Sequence, residues 1–267
     1  NHNMWQYFDI LCYAVAVLIL LANALLYSKA SFLQKISLVL YAISVIVMGV
    51  FITQLWISLE RPPLRTLAET RIWYSFFVAA IGWVLYLMYR YKWIVSYSSI
   101  MTLVFLGITF FHPDTQNKTL MPALHSVWFI PHVVVYIFAY AMFGMATVLA
   151  VFGLYKSYTH KNTEEEVTLV NKLINIGYTF LTLGLLFGAL WAKEAWGHYW
   201  TWDPKETWAF ITWLGYLIYI HLRYKYKNIN DRQDFIIIII AFILLLMCWF
   251  GVNYLPTAAN SVHTYSG

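Results

Sequence analysis

Three histidines lie where an imidazole has a use other than facing water. His132 follows Pro131 at the start of an apolar run, and His263 lies in the C-terminal tail. His221 lies inside another apolar run, where an ionisable side chain suggests function by default. Neutral imidazole is the commonest metal ligand in proteins, so His132 and His263 could hold one metal ion from opposite sides. His125 is a competing ligand, and ordinary interfacial histidines are the alternative.

The most unusual stretch of the chain is residues 191–213, WAKEAWGHYWTWDPKETWAFITW, with six of the 13 tryptophans. A tryptophan belt at a membrane interface explains one or two of them, but not Trp196, Trp200, Trp202 and Trp208 around a charged turn. Indole faces stack on a flat apolar ligand, and indole N–H groups donate to its polar edge. Gly197 lets the backbone bend closely. Haem is such a ligand, and quinone or a lipid headgroup fits less well.

The same stretch predicts a helix start at residues 203–206, Asp-Pro-Lys-Glu. Asp203 can cap the helix, Pro204 fits its first position, and Glu206 stands where a capping-box carboxylate belongs. We therefore expect a helix from Pro204 onward. Lys205 or Lys193 could pair with the carboxylates of a bound ligand.

The composition shows which elements must position these residues. Of 267 residues, 61% are apolar and 11% are charged, which excludes an ordinary soluble enzyme, a disordered chain and a nucleic-acid binder. Eight apolar stretches are long enough to cross a bilayer. They run over residues 5–27, 36–58, 72–90, 93–111, 132–156, 173–192, 204–222 and 235–255. We expect an all-α polytopic membrane protein, one membrane domain over residues 1–267.

The distribution of the 17 lysines and arginines predicts an orientation, because cytoplasmic loops carry the excess of cations. One set of connections holds Lys29, Lys35, Arg90, Lys92, Lys156, Lys161, Lys172, Arg223, Lys225, Lys227 and Arg232, and the other holds Arg61, Arg65, Arg71, Lys118, Lys193 and Lys205. The larger set is expected in the cytoplasm, with both termini and the tryptophan segment outside. The acidic run 164–166 is then expected to be a solvated face.

The two cysteines lie inside apolar runs and have no CxxC spacing. This excludes a thiol redox motif and attachment of a c-type haem to the chain itself.

The tryptophan segment, continued to Arg223, resembles the WWD signature of haem-handling membrane proteins. Its Asp-Pro-Lys-Glu-x-Trp continuation resembles the CcsA/ResC branch of system II cytochrome c biogenesis. SVWFIPHV and SVHTY resemble the two external histidine motifs of that family, and RPPLRTLAET at 61–70 resembles a weaker element. The resemblance covers essentially the whole chain.

The resemblance implies a role for each matching residue. His132 and His263 would be axial ligands of haem b in an external pocket, and His221 would help haem across the membrane. The WWD platform would comprise Trp196, Gly197, Trp200, Trp202, Asp203, Lys205, Glu206 and Trp208. The family's partner histidine belongs to the CcsB/ResB component, which this chain lacks. That component is expected as a separate chain or as the other part of a fusion.

The resemblance also implies the function: haem transport and attachment of haem to apocytochrome c at its CxxCH motif, in a bacterial cytoplasmic membrane. A thiol-reducing partner is a further candidate. The alternative is a membrane b-type cytochrome in quinone-linked electron transfer, although the expected layout of four histidines on two helices is not seen. A third class is a transporter of another substrate, with the tryptophan loop as a gate.

Overall fold

The architecture is helical throughout the part of the chain that the computed structural model describes, residues 4–119, 121–226, 230–249 and 251–255. Within these ranges the chain forms eight α-helices and four short 3-10 turns, and no strand. The all-α prediction is therefore confirmed. The chain divides into two compact units, Asn1–Ile130 and Pro131–Gly267.

The first unit contains four long helices, which are α1 (Phe8–Leu26), α2 (Ser31–Leu59), α3 (Leu67–Tyr89) and α4 (Lys92–Phe111). The 3-10 turns Pro113–Gln116 and Pro122–Leu124 follow them. Helix α1 buries one residue every three or four positions, namely Phe8, Leu11, Val15, Ile19, Ala22 and Leu26. This is the stripe that a helix presents to its neighbours, while its other faces expose aliphatic side chains.

Small polar residues hold these helices together. The Asn23 amide donates to Ser99 Oγ at 2.8 Å, and Ser37 Oγ donates to the carbonyl of Ala22 at 2.6 Å. In an apolar surrounding such bonds between helices replace the bonds that water would make.

The second unit contains α5 (Phe129–Tyr158), α6 (Glu164–Trp196), α7 (Pro204–Lys225) and α8 (Asp231–Trp249), then the 3-10 turn Gly251–Tyr254. Its largest fully buried side chains among the described residues are aromatic, and Phe143 of α5 stacks on Tyr216 of α7 with centroids 3.7 Å apart. Helix α5 begins two residues before Pro131, so the predicted helix start at this proline is confirmed.

Seven helices of the described chain are long and apolar enough to cross a membrane, and the protein is an integral membrane protein. The sequence predicted eight such spans. Helix α7 forms where the span 204–222 was predicted but is not among the seven, because Trp, Tyr and Thr replace aliphatic residues along much of its length.

Ion pairs and hydrogen bonds tie the connections of the second unit at one end. Glu166 is buried and pairs with Lys156, and Arg223 donates to Asp234 Oδ2 at 2.8 Å. Arg232 Nε donates to Ser157 Oγ at 2.7 Å. The prediction of a solvated acidic face at 164–166 therefore holds for the first two glutamates, which are exposed, and is wrong for Glu166.

Candidate functional site

His132 lies one turn into α5, with its ring against α6. Its Nδ1 is 2.8 Å from the carbonyl oxygen of Gly184. A carbonyl only accepts, so Nδ1 carries the hydrogen, and in the neutral ring the lone pair is on Nε2. This is the arrangement by which proteins orient a metal-ligating histidine, with the second ring nitrogen bonded to a backbone carbonyl.

Aromatic rings surround this imidazole. Tyr136 meets it edge-on with centroids 4.6 Å apart, and Trp191 lies at 5.4 Å. Trp191 in turn contacts Trp196 at 5.1 Å, the last residue of α6. One of the predicted platform tryptophans, Trp196, is thus connected to His132 through a single intervening ring.

The chain turns sharply after Trp196. Gly197 has φ +86° and ends α6 in the left-handed conformation that favours glycine. Lys193 Nζ donates to the carbonyl of Gly197 at 2.8 Å and lies 5.4 Å from the centroid of the Tyr199 ring. Lys193, one of the two lysines predicted to pair with ligand carboxylates, thus also caps the end of α6.

The predicted helix start at residues 203–206 is confirmed in its details. Asp203 accepts from the backbone N–H of Lys205 at 2.9 Å, and a complete capping box forms with Glu206. Glu206 Oε2 accepts from the N–H of Asp203 at 3.1 Å and from that of Thr201 at 2.8 Å. One carboxylate thus fixes three residues of loop in front of α7.

The loop held in this way presents Trp200 and Trp202. Their rings meet edge-on at 5.6 Å, and Trp202 meets Phe210 of α7 at the same distance. Trp200 Nε1 is buried and has no hydrogen-bond partner in the described chain. Trp202 is 61% exposed and has φ +59°. Among the described non-glycine residues with positive φ it is the one that does not follow a helix, since Glu60, Arg90 and His160 all do.

Other predicted residues lie apart from this cluster. His221 is exposed, four residues before the end of α7. Trp208, Lys205 and Pro204 occupy the first turns of α7 and are half-buried, and Trp208 makes no ring contact within the described residues. His263 lies outside the described residues. His125 is exposed at the end of a 3-10 turn of the first unit, whereas His132 belongs to the second unit.

A second element of the sequence, 61–70, forms a closed clamp in the first unit. Glu69 is 1% exposed and accepts from both terminal nitrogens of Arg61, at 2.9 and 3.0 Å. It also accepts from the backbone N–H groups of Arg65 and Thr66, and Thr66 caps α3. This element fixes the entry of α3.

Residues that sequence reasoning missed lie on α6. The glycines Gly184 and Gly188 receive Tyr136 and His132 at close range. Their spacing of four residues, which places both on one helix face, was the available signal. Nothing in the sequence indicated which residue that face would meet.

Together these features define a multi-helix membrane protein that holds an oriented imidazole against the tryptophan-bearing end of α6, which an aromatic loop follows. A family model described as cytochrome C assembly protein matches residues 66–259. Cytochrome c biogenesis protein CcsA of Cuscuta exaltata is 33% identical over 245 residues, with 79% of each chain covered. The CcsA proteins of Solanum tuberosum and Lactuca sativa are 34% and 32% identical, with 81–82% of each chain covered. The chain belongs to the cytochrome c assembly protein family, as the resemblance to CcsA predicted, and so has a role in cytochrome c biogenesis.

Proposed function

We propose that this protein carries haem b as cargo and presents it to apocytochrome c. Haem is held on the outer side of the membrane by the imidazoles of His132 and His263, against the tryptophan segment 191–213. The vinyl groups of the held haem then react with the thiols of a CxxCH motif, and the histidine of that motif replaces a ligand of the carrier. The chain acts as the CcsA-like subunit of a holocytochrome c synthase.

The single observation that carries this proposal is the environment of His132. Its Nδ1–H is committed to Gly184, which in the neutral ring leaves the lone pair on Nε2 for iron. Tyr136 and Trp191 restrict the ring on two sides. A ligand histidine needs this combination of a fixed tautomer and a fixed orientation.

The tryptophan loop supports the same cargo. Haem combines a flat apolar ring with carboxylates at one edge. The exposed indole of Trp202 offers an apolar face, and the buried, unpartnered N–H of Trp200 is a donor suited to a carboxylate. Lys193 and Lys205 are the cations of the segment for that edge; Lys193 gives one of its three N–H donors to the carbonyl of Gly197.

In this scheme Asp203 and Glu206 act through the backbone. Their carboxylates are engaged in the capping box of α7 and hold the loop that presents the indoles. The protein supplies binding, orientation and access, while the reactivity belongs to haem and to the thiols.

The proposal extends to partners and topology. His221 helps haem to cross, together with a histidine of a CcsB/ResB-like protein, and a thiol-reducing partner keeps the CxxCH cysteines reactive. The chain works as one membrane domain in a bacterial cytoplasmic membrane, with α7 counted as a span and both termini outside. The excess of cations on the opposite connections supports this orientation.

The test is a visible absorption spectrum of the detergent-purified protein, coexpressed with its CcsB-like partner. His132→Ala and His263→Ala should each lose or change a reduced b-type spectrum, and added imidazole should restore it. His160→Ala is the matched control, because His160 is an exposed histidine just beyond α5. His125→Ala tests the competing ligand.

Cytochrome c maturation in the same cells provides the second readout. Both ligand variants should abolish it at normal protein level, and the His160 variant should not. Undiminished maturation in both ligand variants would reject the assignment.

A further inference from the structure

Helices α5 and α6 pack through three matched pairs of residues. A Cβ atom added to Gly177, Gly184 or Gly188 would meet the side chain of Phe143, Tyr136 or His132, respectively, at 2.8–3.0 Å. The pairs advance by seven and then four residues along α6 while they retreat by the same steps along α5. Helical residues at these spacings share a face, so the three pairs form one antiparallel seam.

The last pair of this seam leaves no room beside the imidazole. A Cβ at position 188 would lie 2.9 Å from both Cε1 and Nδ1 of His132. Any side chain at this position therefore moves the histidine ring, the α5 backbone or both. Glycine at this position leaves room for the Nδ1–Cε1 edge of the ring against α6.

The hydrogen bond of the ring depends on the same contact. Gly184, one turn before Gly188, supplies the carbonyl that accepts from His132 Nδ1 at 2.8 Å. The helical pattern gives that carbonyl also to the N–H of Gly188, and an oxygen with two lone pairs can accept both. The ring reaches the carbonyl because residue 188 has no side chain over it.

We infer that Gly184 and Gly188 are positioning residues for His132: they set its tautomer and its orientation, so that Nε2 is the nitrogen offered to iron. This inference rests on the proposed function, in which His132 is a haem ligand. It adds that the ligand is prepared by α6 before haem arrives.

The experiment compares Gly188→Ala with Gly177→Ala in the full chain, coexpressed with its CcsB-like partner. Both substitutions add one methyl group to the same seam, against His132 in one case and against Phe143 in the other. Removing the support of a metal-ligating histidine costs about 10- to 100-fold in affinity. Gly188→Ala should therefore weaken haem retention about tenfold or more, with recovery in imidazole, whereas Gly177→Ala should retain haem like the wild type.

The second readout needs no haem. Nitrogen-15 NMR of the haem-free full chain in lipid nanodiscs reports the histidine tautomer, with His132→Ala used to assign the signal. The wild type should show His132 protonated at Nδ1, and Gly188→Ala should lose that signature. This measurement on the wild type tests the inference even if a variant fails to fold.

The outcomes separate the two claims. If His132→Ala leaves the haem spectrum unchanged, the proposed function fails, while the NMR signal still decides whether α6 sets the tautomer. If His132→Ala loses haem but Gly188→Ala retains it, the inference alone is overturned. It is also overturned if Gly177→Ala is as damaging as Gly188→Ala, or if His132 carries its hydrogen on Nε2.

Discussion

Two helices of this protein begin with the same device in different surroundings. Helix α3 starts at a capping box of Thr66 and Glu69, and α7 starts at one of Asp203 and Glu206. In each, the glutamate also accepts an N–H from the preceding loop, that of Arg65 or that of Thr201. The glutamate at α3 is 1% exposed and neutralised by Arg61, whereas the one at α7 is half-buried and has no cation bonded to it among the residues that the structure describes.

The two helix starts therefore serve different purposes: the one at α3 fixes the chain, and the one at α7 presents an exposed side chain. At the α3 start the charge of Glu69 is paired with that of Arg61, and the Trp73 indole N–H donates to the carbonyl of Pro63. The α7 start uses its carboxylates to hold an exposed Trp202 in a left-handed conformation that costs an L-residue about 1–2 kcal/mol. Backbone strain of this kind persists where the surroundings enforce it, commonly at functional sites.

The largest expected effect is on the start of α3. Glu69→Ala removes the N3 carboxylate of the α3 capping box, so the backbone N–H groups of Arg65 and Thr66 and the guanidinium of Arg61 all lose their acceptor. A buried donor left without an acceptor costs about 1–3 kcal/mol. We expect the free energy of unfolding in detergent to fall by about 3 kcal/mol, measured by denaturant titration. The control is Glu60→Ala, an exposed acid in the same loop. Equal stability of the two variants would show that the clamp does not anchor α3.

The start of α7 should respond differently to the loss of its glutamate. Glu206→Ala removes the N3 carboxylate of the α7 capping box and leaves the Asp203 cap in place, so the free energy of unfolding should fall by only ~1 kcal/mol. Cytochrome c maturation should fall by up to about fivefold, because ~1 kcal/mol changes the ratio of the two loop conformations by about that factor. Glu206→Gln keeps an acceptor for the two N–H groups and should retain most of the maturation. Full maturation by the alanine variant would mean that the loop keeps its shape without this carboxylate.

Two glycines, Gly197 and Gly107, isolate the contribution of backbone conformation to stability. Gly197 lies at the other end of the tryptophan loop, directly after α6. A Cβ at Gly197 or at Gly107 would meet no atom within 4 Å, but only Gly197 has positive φ. Gly197→Ala should therefore destabilise by about 1 kcal/mol, and Gly107→Ala, within α4, should stabilise by about 0.5–1 kcal/mol. Thermal unfolding of the two variants measures this. A Gly197 variant as stable as the wild type would contradict the left-handed turn.

The smallest expected effect on stability comes from Trp202→Gly. Relief of the left-handed backbone offsets the loss of the ring contacts with Trp200 and Phe210, so the net change should be under about 1 kcal/mol. Haem retention and maturation should nevertheless fall.

The control for this variant is Arg90→Gly, at another exposed left-handed residue, which ends α3. It should raise stability by about 1 kcal/mol and leave maturation unchanged. If Trp202→Gly matures cytochrome c like the wild type, the exposed indole has no part in the site.

The features that the sequence predicted are those that neighbouring residues determine. The capping box at 203–206, the turn at Gly197 and the helix start near Pro131 each depend on a few consecutive residues, and all three formed as expected. Seven of the eight spans meet the length and hydropathy expected of a crossing helix, because such a helix depends on local composition.

What the sequence did not predict depends on distant partners. Gly188 and His132 are 56 positions apart, and only the seam between α5 and α6 brings them into contact. The burial of Glu166 follows from its pairing with Lys156 across a connection. Among the described residues Trp196 contacts Trp191, while Trp202 contacts Trp200 and Phe210, and the sequence did not indicate these ring partners.

The short distances within two pairs of tryptophans have an optical consequence. Rings whose centroids lie 5.1 Å apart, as in Trp191 and Trp196, exchange excitation energy faster than they emit, and the pair Trp200 and Trp202 at 5.6 Å behaves alike. Haem absorbs at the wavelengths where indole emits. One cargo molecule beside the segment would therefore quench the four tryptophans of these pairs together, and loading and release could be followed by intrinsic fluorescence without a label.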